Sequence, residues 1–356
     1  MADPAPRRIT VLGDGQMALV CAQILTGADD ADRPADGGPP APEVVLWGHD
    51  AGALSRLAQT RKSPRLEHLM LADEVRVEPD DASALDGADM VLMAIPAQYI
   101  RGVMERLGPH VPEGAGFVSV SKGVENKTLL RPLEVIASVL DEGAPASSSG
   151  RPCAVLSGPT IAAELARCLP ATMIAAGADG AFAERVREAF STRWLRVYTG
   201  NDPIGVEVAG ALKNVIAIAA GILDGLQAGY NAKSALLARG LAEITRLGVA
   251  LGADRETFFG VAGVGDLATT CFSPLGRNRS CGEELGRGRS LDEVLEESSS
   301  VVEGVATTRS VVELAERLGV EMPITAAVHA VLYEGLDPIE GIARLMSREP
   351  KEERVG

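Results

Sequence analysis

"ITVLGDGQMALV", Ile9 to Val20, decides the fold. A β-type run meets Gly13-Asp14-Gly15, and an apolar helix-forming stretch follows. A strand that turns on glycine into a helix is the opening of a βαβ unit. In this GxGxxA pattern Gly13 permits the tight turn, Gly15 lets the backbone approach a pyrophosphate, and Ala18 packs helix against strand. The helix N-terminus adds unpaired N–H groups and a positive dipole end for phosphate oxygens. Glycine-rich turns also arise for purely structural reasons, so the reading rests on its surroundings.

Those surroundings repeat the pattern. "EVVLW", "VRVEP", "DMVLMAIP", "GFVSVSKG", "CAVLSGPT", "ATMIAAG" and "LRVYTG" follow as continuous apolar runs, as expected of strands covered on both faces. They alternate with helical stretches such as Leu129–Leu140 and Ala181–Phe190. The fold expected is a Rossmann-type, doubly wound and mostly parallel α/β sheet, joined to an all-α C-terminal domain. A chain of 356 residues is more than one core usually serves. The expected division is 1–200 for the dinucleotide domain and 201–346 for a helical substrate domain, with 347–356 a charged tail. The turn cluster "TGNDP" marks the boundary. "GADDADRPADGGPPAPE", Gly27 to Glu43, reads as a flexible surface insertion at 27–43.

A net charge of −15 argues against nucleic acid or an anionic membrane as partner, though not against a small anion in a local basic pocket. Five cysteines without CxxC spacing read as reduced cytosolic thiols, and no metal is called for. "MADPAPRRIT" lacks the apolar core of a signal peptide, so a cytoplasmic location is expected. The longest apolar stretch, "EVAGALKNVIAIAAGI" (Glu207 to Ile222), is interrupted by Lys213 and Asn214, which argues against a membrane span.

Lys213 is the only charged residue between Glu207 and Asp224. A lysine desolvated by apolar neighbours, with another cation nearby, has its pKa drawn down towards working pH and suits proton transfer. The bland alternative is a side chain that covers apolar surface with its stem. None of the four histidines sits in a catalytic-looking motif. Lys122 ends a strand in "SVSKGVE", where ligands bind in open α/β sheets. "LSGPTIAAE" offers Ser157, Gly158 and Thr160 at a second strand-to-helix turn. "GVGDLATTCFSPLGRNRS" presents Asp266, Thr270, Arg277 and Asn278, of which Arg277 and Asn278 suit a phosphate. Arg277 and Arg279 on a solvated loop, and Asp266 as a helix cap, are the structural alternatives. After the second strand, Trp47-Gly48-His49 precede Asp50, later than the acid that holds a ribose 2′-hydroxyl in NAD-selective sites. That leaves room for a 2′-phosphate, with His49 either its contact or an ordinary loop histidine. The cofactor expected is NADP or NAD, leaning to NADP or dual use.

Taken in order, "DMVLMAIPAQYIRGVM", "SVSKGVENKTL", "LSGPTIAAELA", "RVYTGNDPIGVEVAGALKNVIAIAAGILDGL", "TFFGVAGVGDLATTCFSPLGRNR" and "VVEGVATT" resemble the bacterial NAD(P)-dependent glycerol-3-phosphate dehydrogenase family. That family lies within the superfamily whose helical domain is like the C-terminal domain of 6-phosphogluconate dehydrogenase. The resemblance implies hydride transfer between a nicotinamide and C2 of the dihydroxyacetone phosphate/glycerol 3-phosphate pair, supplying the glycerophospholipid backbone. It makes Lys213 the proton donor/acceptor, with Lys122 and Asp266 beside it in catalysis. Lys122, Gly158, Thr160, Asp266, Gly276, Arg277 and Asn278 fall at substrate positions. Gln16, Met17, His49, Ala162, Val301 and Glu303 fall at cofactor positions, alongside Gly13, Gly15 and Ala18 of the glycine loop, with Lys122 and Arg277 shared. A homodimer is a possible assembly. Departures exist: Met17-Ala18 replace the family's usual Trp-Gly, Thr160 stands for Ser, and Gly276 lacks a serine hydroxyl worth about 1 kcal/mol. They keep open a paralogue acting on a related phosphorylated, phosphonate or acidic hydroxy compound. A catalytically dead dinucleotide sensor is the alternative of another class.

Overall fold

The structure, a computed structural model, describes residues 6–27, 41–141, 150–298, 300–349 and 352. Most of the insertion expected at 27–43 and most of the tail at 347–356 lie outside the described residues. The chain separates into two compact units, Met1–Ile95 with Tyr99–Ser121 and Pro132–Pro203, and Pro96–Gln98 with Lys122–Arg131 and Ile204–Gly356.

The first unit is built on β1 (Arg8–Leu12), β2 (Glu43–Trp47), β3 (Val75–Val77), β4 (Met90–Met93), β5 (Gly116–Ser119), β6 (Cys153–Ser157), β7 (Ala171–Ala176) and β8 (Leu195–Gly200). Between them run α1 (Gln16–Thr26), α2 (Ala51–Thr60), α3 (Asp81–Leu85), α4 (Ile100–Leu107), α5 (Pro132–Leu140), α6 (Ala162–Leu165) and α7 (Gly180–Phe190). The sheet order is β3-β2-β1-β4-β5-β6-β7-β8, whose first six strands follow the Rossmann order. Every pairing is parallel except β6 with β7. β4 and β5 are buried at every position, which is why those strands read as unbroken apolar runs. The strand order reverses between β1 and β4, and the crevice outside their carboxyl ends is where such sheets take ligands.

One expected helix shortens. Leu129–Leu140 begins as a helix only at Pro132, because Lys127 and Leu129 take positive φ and Pro132 disfavours a helical residue before it. The displaced residues belong to the segment 122–131, which folds with the second unit although it follows β5.

The second unit contains α8 (Pro203–Gly225), α9 (Gly229–Ala250), α10 (Asp266–Phe272), α11 (Arg277–Gly286), α12 (Leu291–Glu297), α13 (Glu303–Leu318), α14 (Pro323–Tyr333) and α15 (Pro338–Met346). α8 is longer than the stretch that first marked it. Among the described residues it alone is long and apolar enough to cross a bilayer, yet 94% of its apolar window is buried inside the protein. It is the core helix around which the unit packs, with Leu212, Ile216 and Ala220 in one hydrophobic cluster and Val215, Ile218 and Ile222 in another. Its contact with α11 has no side chains between the backbones. A methyl group added at Gly221 would overlap the Arg279 carbonyl, and one at Gly282 would overlap the Ile218 carbonyl. Buried Glu243 of α9 caps α14 from a distance, accepting from the backbone of Ile324 (2.6 Å) and Thr325 (3.1 Å).

Candidate active site

In the sheet unit the glycine loop has the form its pattern requires. Gly13 has φ +126°, and a Cβ there would lie 2.7 Å from the Ala94 carbonyl oxygen, so no other residue fits. Gly15 is the N-cap of α1, and the space where its Cβ would stand is open. Among the described residues no side chain caps α1 and no acid sits in its first turn, which suits its leading N–H groups to a phosphate. Ala18 is fully buried, as close packing of helix on strand demands. These residues fit the pyrophosphate of a dinucleotide.

The loop also holds a pairing that the pattern does not reveal. Gln16 donates from Nε2 to the Arg65 carbonyl at 2.7 Å, and the Arg65 guanidinium lies 3.4 Å from the Asp14 carboxylate. Asp14 would otherwise oppose a phosphate at this turn, and Arg65 neutralises it. Met17 packs on the sheet core. His49 is exposed. Asp50 beside it caps α2, accepting from the Ala53 N–H at 2.9 Å, and that bond is the main reason its carboxyl is held below the usual range. The acid after β2 is therefore engaged as a helix cap.

At the end of β6, Gly158 turns with φ +147° and Thr160 donates to its carbonyl at 3.1 Å. Buried Ser157 keeps a hydroxyl with no hydrogen-bond partner among the described residues. Ala162 opens the short α6. Gly158, Thr160, Ala162, Gln16, Met17 and His49 all lie in the sheet unit.

The helical unit gathers the charged residues. Lys213 donates to Asp266 Oδ1 at 2.5 Å and to Thr270 Oγ1 at 2.7 Å. Lys122 reaches the other oxygen of the same carboxylate, Oδ2, at 2.7 Å. Asp266 is 1% exposed and Lys213 is 7% exposed, so no snorkelling route to water is used. The segment Val261–Gly265 winds as one π-helical turn directly into α10, which puts Asp266 at the helix's first residue, where the dipole favours an anion. Asp266 is thus both a first-turn acid and the bridge between two ammoniums. Thr270 in turn donates to the Asp266 carbonyl at 2.7 Å, so its oxygen is oriented to accept from Lys213.

Lys122 is held there by its own segment. The Ser310 hydroxyl of α13 lies 2.9 Å from the Val124 carbonyl and 2.5 Å from Asn126 Oδ1, with one proton to share between them, and Gln98 donates to the Val124 carbonyl at 2.7 Å. Arg131 pairs with buried Glu207 of α8 at 3.0 Å.

Burial is the largest influence on Lys213 and pushes it from 10.5 down to about 8; Asp266 pulls it back up and Lys122 adds to the fall. The expected tuning by an apolar shell and a second cation is therefore present. Two ammoniums around one carboxylate leave a net positive site, suited to an oxygen that becomes negative.

Arg277 and Arg279, whose alternative was a solvated loop, instead stand with Asn278 in the first turn of α11, whose N-cap is Gly276; Arg277 is exposed there and Arg279 half-buried. Gly276 supplies no side-chain cap, and among the described residues no side chain caps the first turn of α11 in its place, which suits its N–H groups to an anion. Asn278 Oδ1 accepts from the Gly304 N–H at 2.9 Å, which leaves its NH₂ as the available donor. Arg277 donates from Nη1 to the Val301 carbonyl at 3.1 Å. The residues expected to hold phosphate therefore also hold the segment carrying Val301 and Glu303. Glu303 heads α13, and burial raises its carboxyl above the ordinary value, with Arg277, Lys122 and Lys213 acting against that rise.

The descriptions "NAD-dependent glycerol-3-phosphate dehydrogenase N-terminus" and "C-terminus" match residues 8–183 and 202–343. A glycerol-3-phosphate dehydrogenase [NAD(P)+] of Salinibacter ruber is 46% identical over 312 residues, covering 87% of this chain and 90% of that protein. Its counterpart from Anaeromyxobacter dehalogenans is 43% identical over 347 residues, covering 97% and 99%. The crystal structure of the Coxiella burnetii glycerol-3-phosphate dehydrogenase superposes with a TM-score of 0.88 at 32% identity, covering 97% of this chain and all of that one. Matched in both halves and along nearly its full length, the chain belongs to the NAD-dependent glycerol-3-phosphate dehydrogenase family.

Proposed function

We propose that this chain reduces dihydroxyacetone phosphate to sn-glycerol 3-phosphate with NADH or NADPH, and runs the reverse oxidation. The family supports the overall reaction, and the shared Asp266 carboxylate with Lys213 and Lys122 on its two oxygens supports the chemistry. The sheet unit takes the dinucleotide, which when bound supplies the hydride. In the helical unit Arg277, the Asn278 NH₂ and the first turn of α11 hold the phosphate end. Lys213 Nζ gives its proton to the substrate's C2 oxygen as negative charge builds there. Asp266 and Thr270 fix the direction of that ammonium, and Lys122 repels its proton and weakens the hold. A pre-placed ammonium stabilises the developing alkoxide more than the ground-state carbonyl, which makes the site complementary to the transition state. Five free cysteines and a product that supplies glycerophospholipid synthesis support a cytoplasmic enzyme.

The sign of the pH dependence follows from Lys213. Reduction needs the protonated form, which is present below about 8 and lost above it. Oxidation needs the neutral form and gains over the same range. We expect kcat/KM for reduction to fall about tenfold per pH unit above that point, and kcat/KM for oxidation to rise through it. Parallel profiles in the two directions would contradict the assignment. Folded Lys213 binds its proton less tightly than unfolded lysine, so this group lowers stability at neutral pH and stability recovers as pH rises from about 8 towards 10.5.

A further inference from the structure

Three turns along α8 from Lys213, Asp224 forms the centre of a second ionic cluster, which takes no part in proton transfer. Lys233 of α9 donates to both of its carboxylate oxygens, at 2.9 and 2.7 Å. Arg279 of α11 donates from Nε to Oδ2 at 2.6 Å, and its Nη1 lies 3.0 Å from Glu283. Lys233 is only 5% exposed and its ammonium stands 4.9 Å from the centroid of the Phe272 ring, at the end of α10. One carboxylate thus gathers α8, α9 and α11, and through Phe272 also α10.

The residue gripped is the one that follows Arg277 and Asn278. Its backbone is held as well as its side chain, because the Arg279 carbonyl lies against Gly221, one helical turn before Asp224. Arg279 therefore meets α8 at two points, and both fix the first turn of α11. That turn carries the phosphate donors, and its position against α8 is its position against Lys213. Small displacements matter here, since a charge-assisted hydrogen bond to a phosphate oxygen weakens steeply with distance and angle.

We propose that Asp224 is a positioning residue for the phosphate end of the substrate: through Arg279 and Lys233 it sets Arg277, Asn278 and the α11 N-terminus at the distance from Lys213 that a three-carbon phosphate spans. This rests on the proposed reduction of dihydroxyacetone phosphate.

The test compares Asp224→Asn with wild type on dihydroxyacetone phosphate and on dihydroxyacetone, which lacks the phosphate. We expect KM for the phosphate ester to rise about tenfold with kcat changed less than about threefold. Activity on dihydroxyacetone should stay at the wild-type value. Arg279→Lys keeps the charge but loses the planar fork, and should raise the same KM about threefold. It carries the comparison alone if Asp224→Asn does not fold. An unchanged KM for the phosphate ester, or equal losses on both substrates, overturns the proposal. If wild type turns over neither compound, the functional reading fails. Inorganic phosphate binding by calorimetry then decides the positioning role: weaker binding in the variant supports it, and equal binding overturns it.

Discussion

Lys213→Met is expected to lower turnover of dihydroxyacetone phosphate by about two to four orders of magnitude, the usual contribution of a positioned acid–base group. The cofactor Kd should not move, because Lys213 is not among the residues expected to contact the dinucleotide. Methionine matches the length and apolar stem of lysine, so the loss isolates the ammonium. Asp266 keeps Lys122 as its partner, which prevents a stranded buried charge. The variant also sheds the desolvation that pushes Lys213 down, so its melting temperature should stay within a few degrees of wild type. Steady-state kinetics beside a thermal melt check both statements. Wild-type turnover in this variant would remove Lys213 from the mechanism. A large fall in melting temperature would make its role structural.

Gly221→Ala should be strongly destabilising although alanine is the better helix former. Its added methyl meets the Arg279 carbonyl, a backbone atom that cannot rotate away, so α8 and α11 must move apart. Overpacking of this kind typically costs about 1–3 kcal/mol, often more against backbone, and helix propensity returns only about 1. At about 2–4 °C per kcal/mol for a unit of this size, a net loss of about 2 kcal/mol lowers the melting temperature by about 4–8 °C. Gly102→Ala is the matched control: it lies within α4 with nothing near its Cβ position, and should be neutral or slightly stabilising. The same displacement carries Arg277 and Asn278 away from Lys213, so residual folded Gly221→Ala should also show a raised KM. Equal melting temperatures for Gly221→Ala and wild type would mean that the two helices do not pack backbone to backbone.

The strands were legible because a sheet covered on both faces demands unbroken apolar runs, and the glycine loop because only glycine tolerates the Gly13 turn. Lys213 announced itself as the one charge in the apolar run between Glu207 and Asp224. The short helices α10 and α11 were not legible as helices. Gly263, Gly265, Pro274 and Gly276 break helical periodicity around them, and the π-helical turn before Asp266 follows no 3.6-residue pattern. Tertiary packing against α8 overrides that weak local propensity. The membership of Lys122 in the helical unit was hidden for a different reason. Its anchors, Ser310 and Glu207, are remote in sequence. Arg65 beside Asp14, and Asp224 between Lys233 and Arg279, were equally invisible, since ion pairs across long separations leave no periodic trace. Thr270 stood in the right motif, but its bond to Lys213 follows from the helical turn that aligns it with Asp266.

Proton donation by buried Lys213 of α8 is the step on which the proposed dinucleotide-dependent reduction turns. It is tested most directly by mixing the purified chain with dihydroxyacetone phosphate and either NADH or NADPH, following nucleotide oxidation and quantifying the product, with Lys213→Met in parallel. sn-Glycerol 3-phosphate should form mole for mole with nucleotide oxidised, and almost none should form in the variant. Nucleotide that binds but is not oxidised, or a variant as fast as wild type, would contradict it.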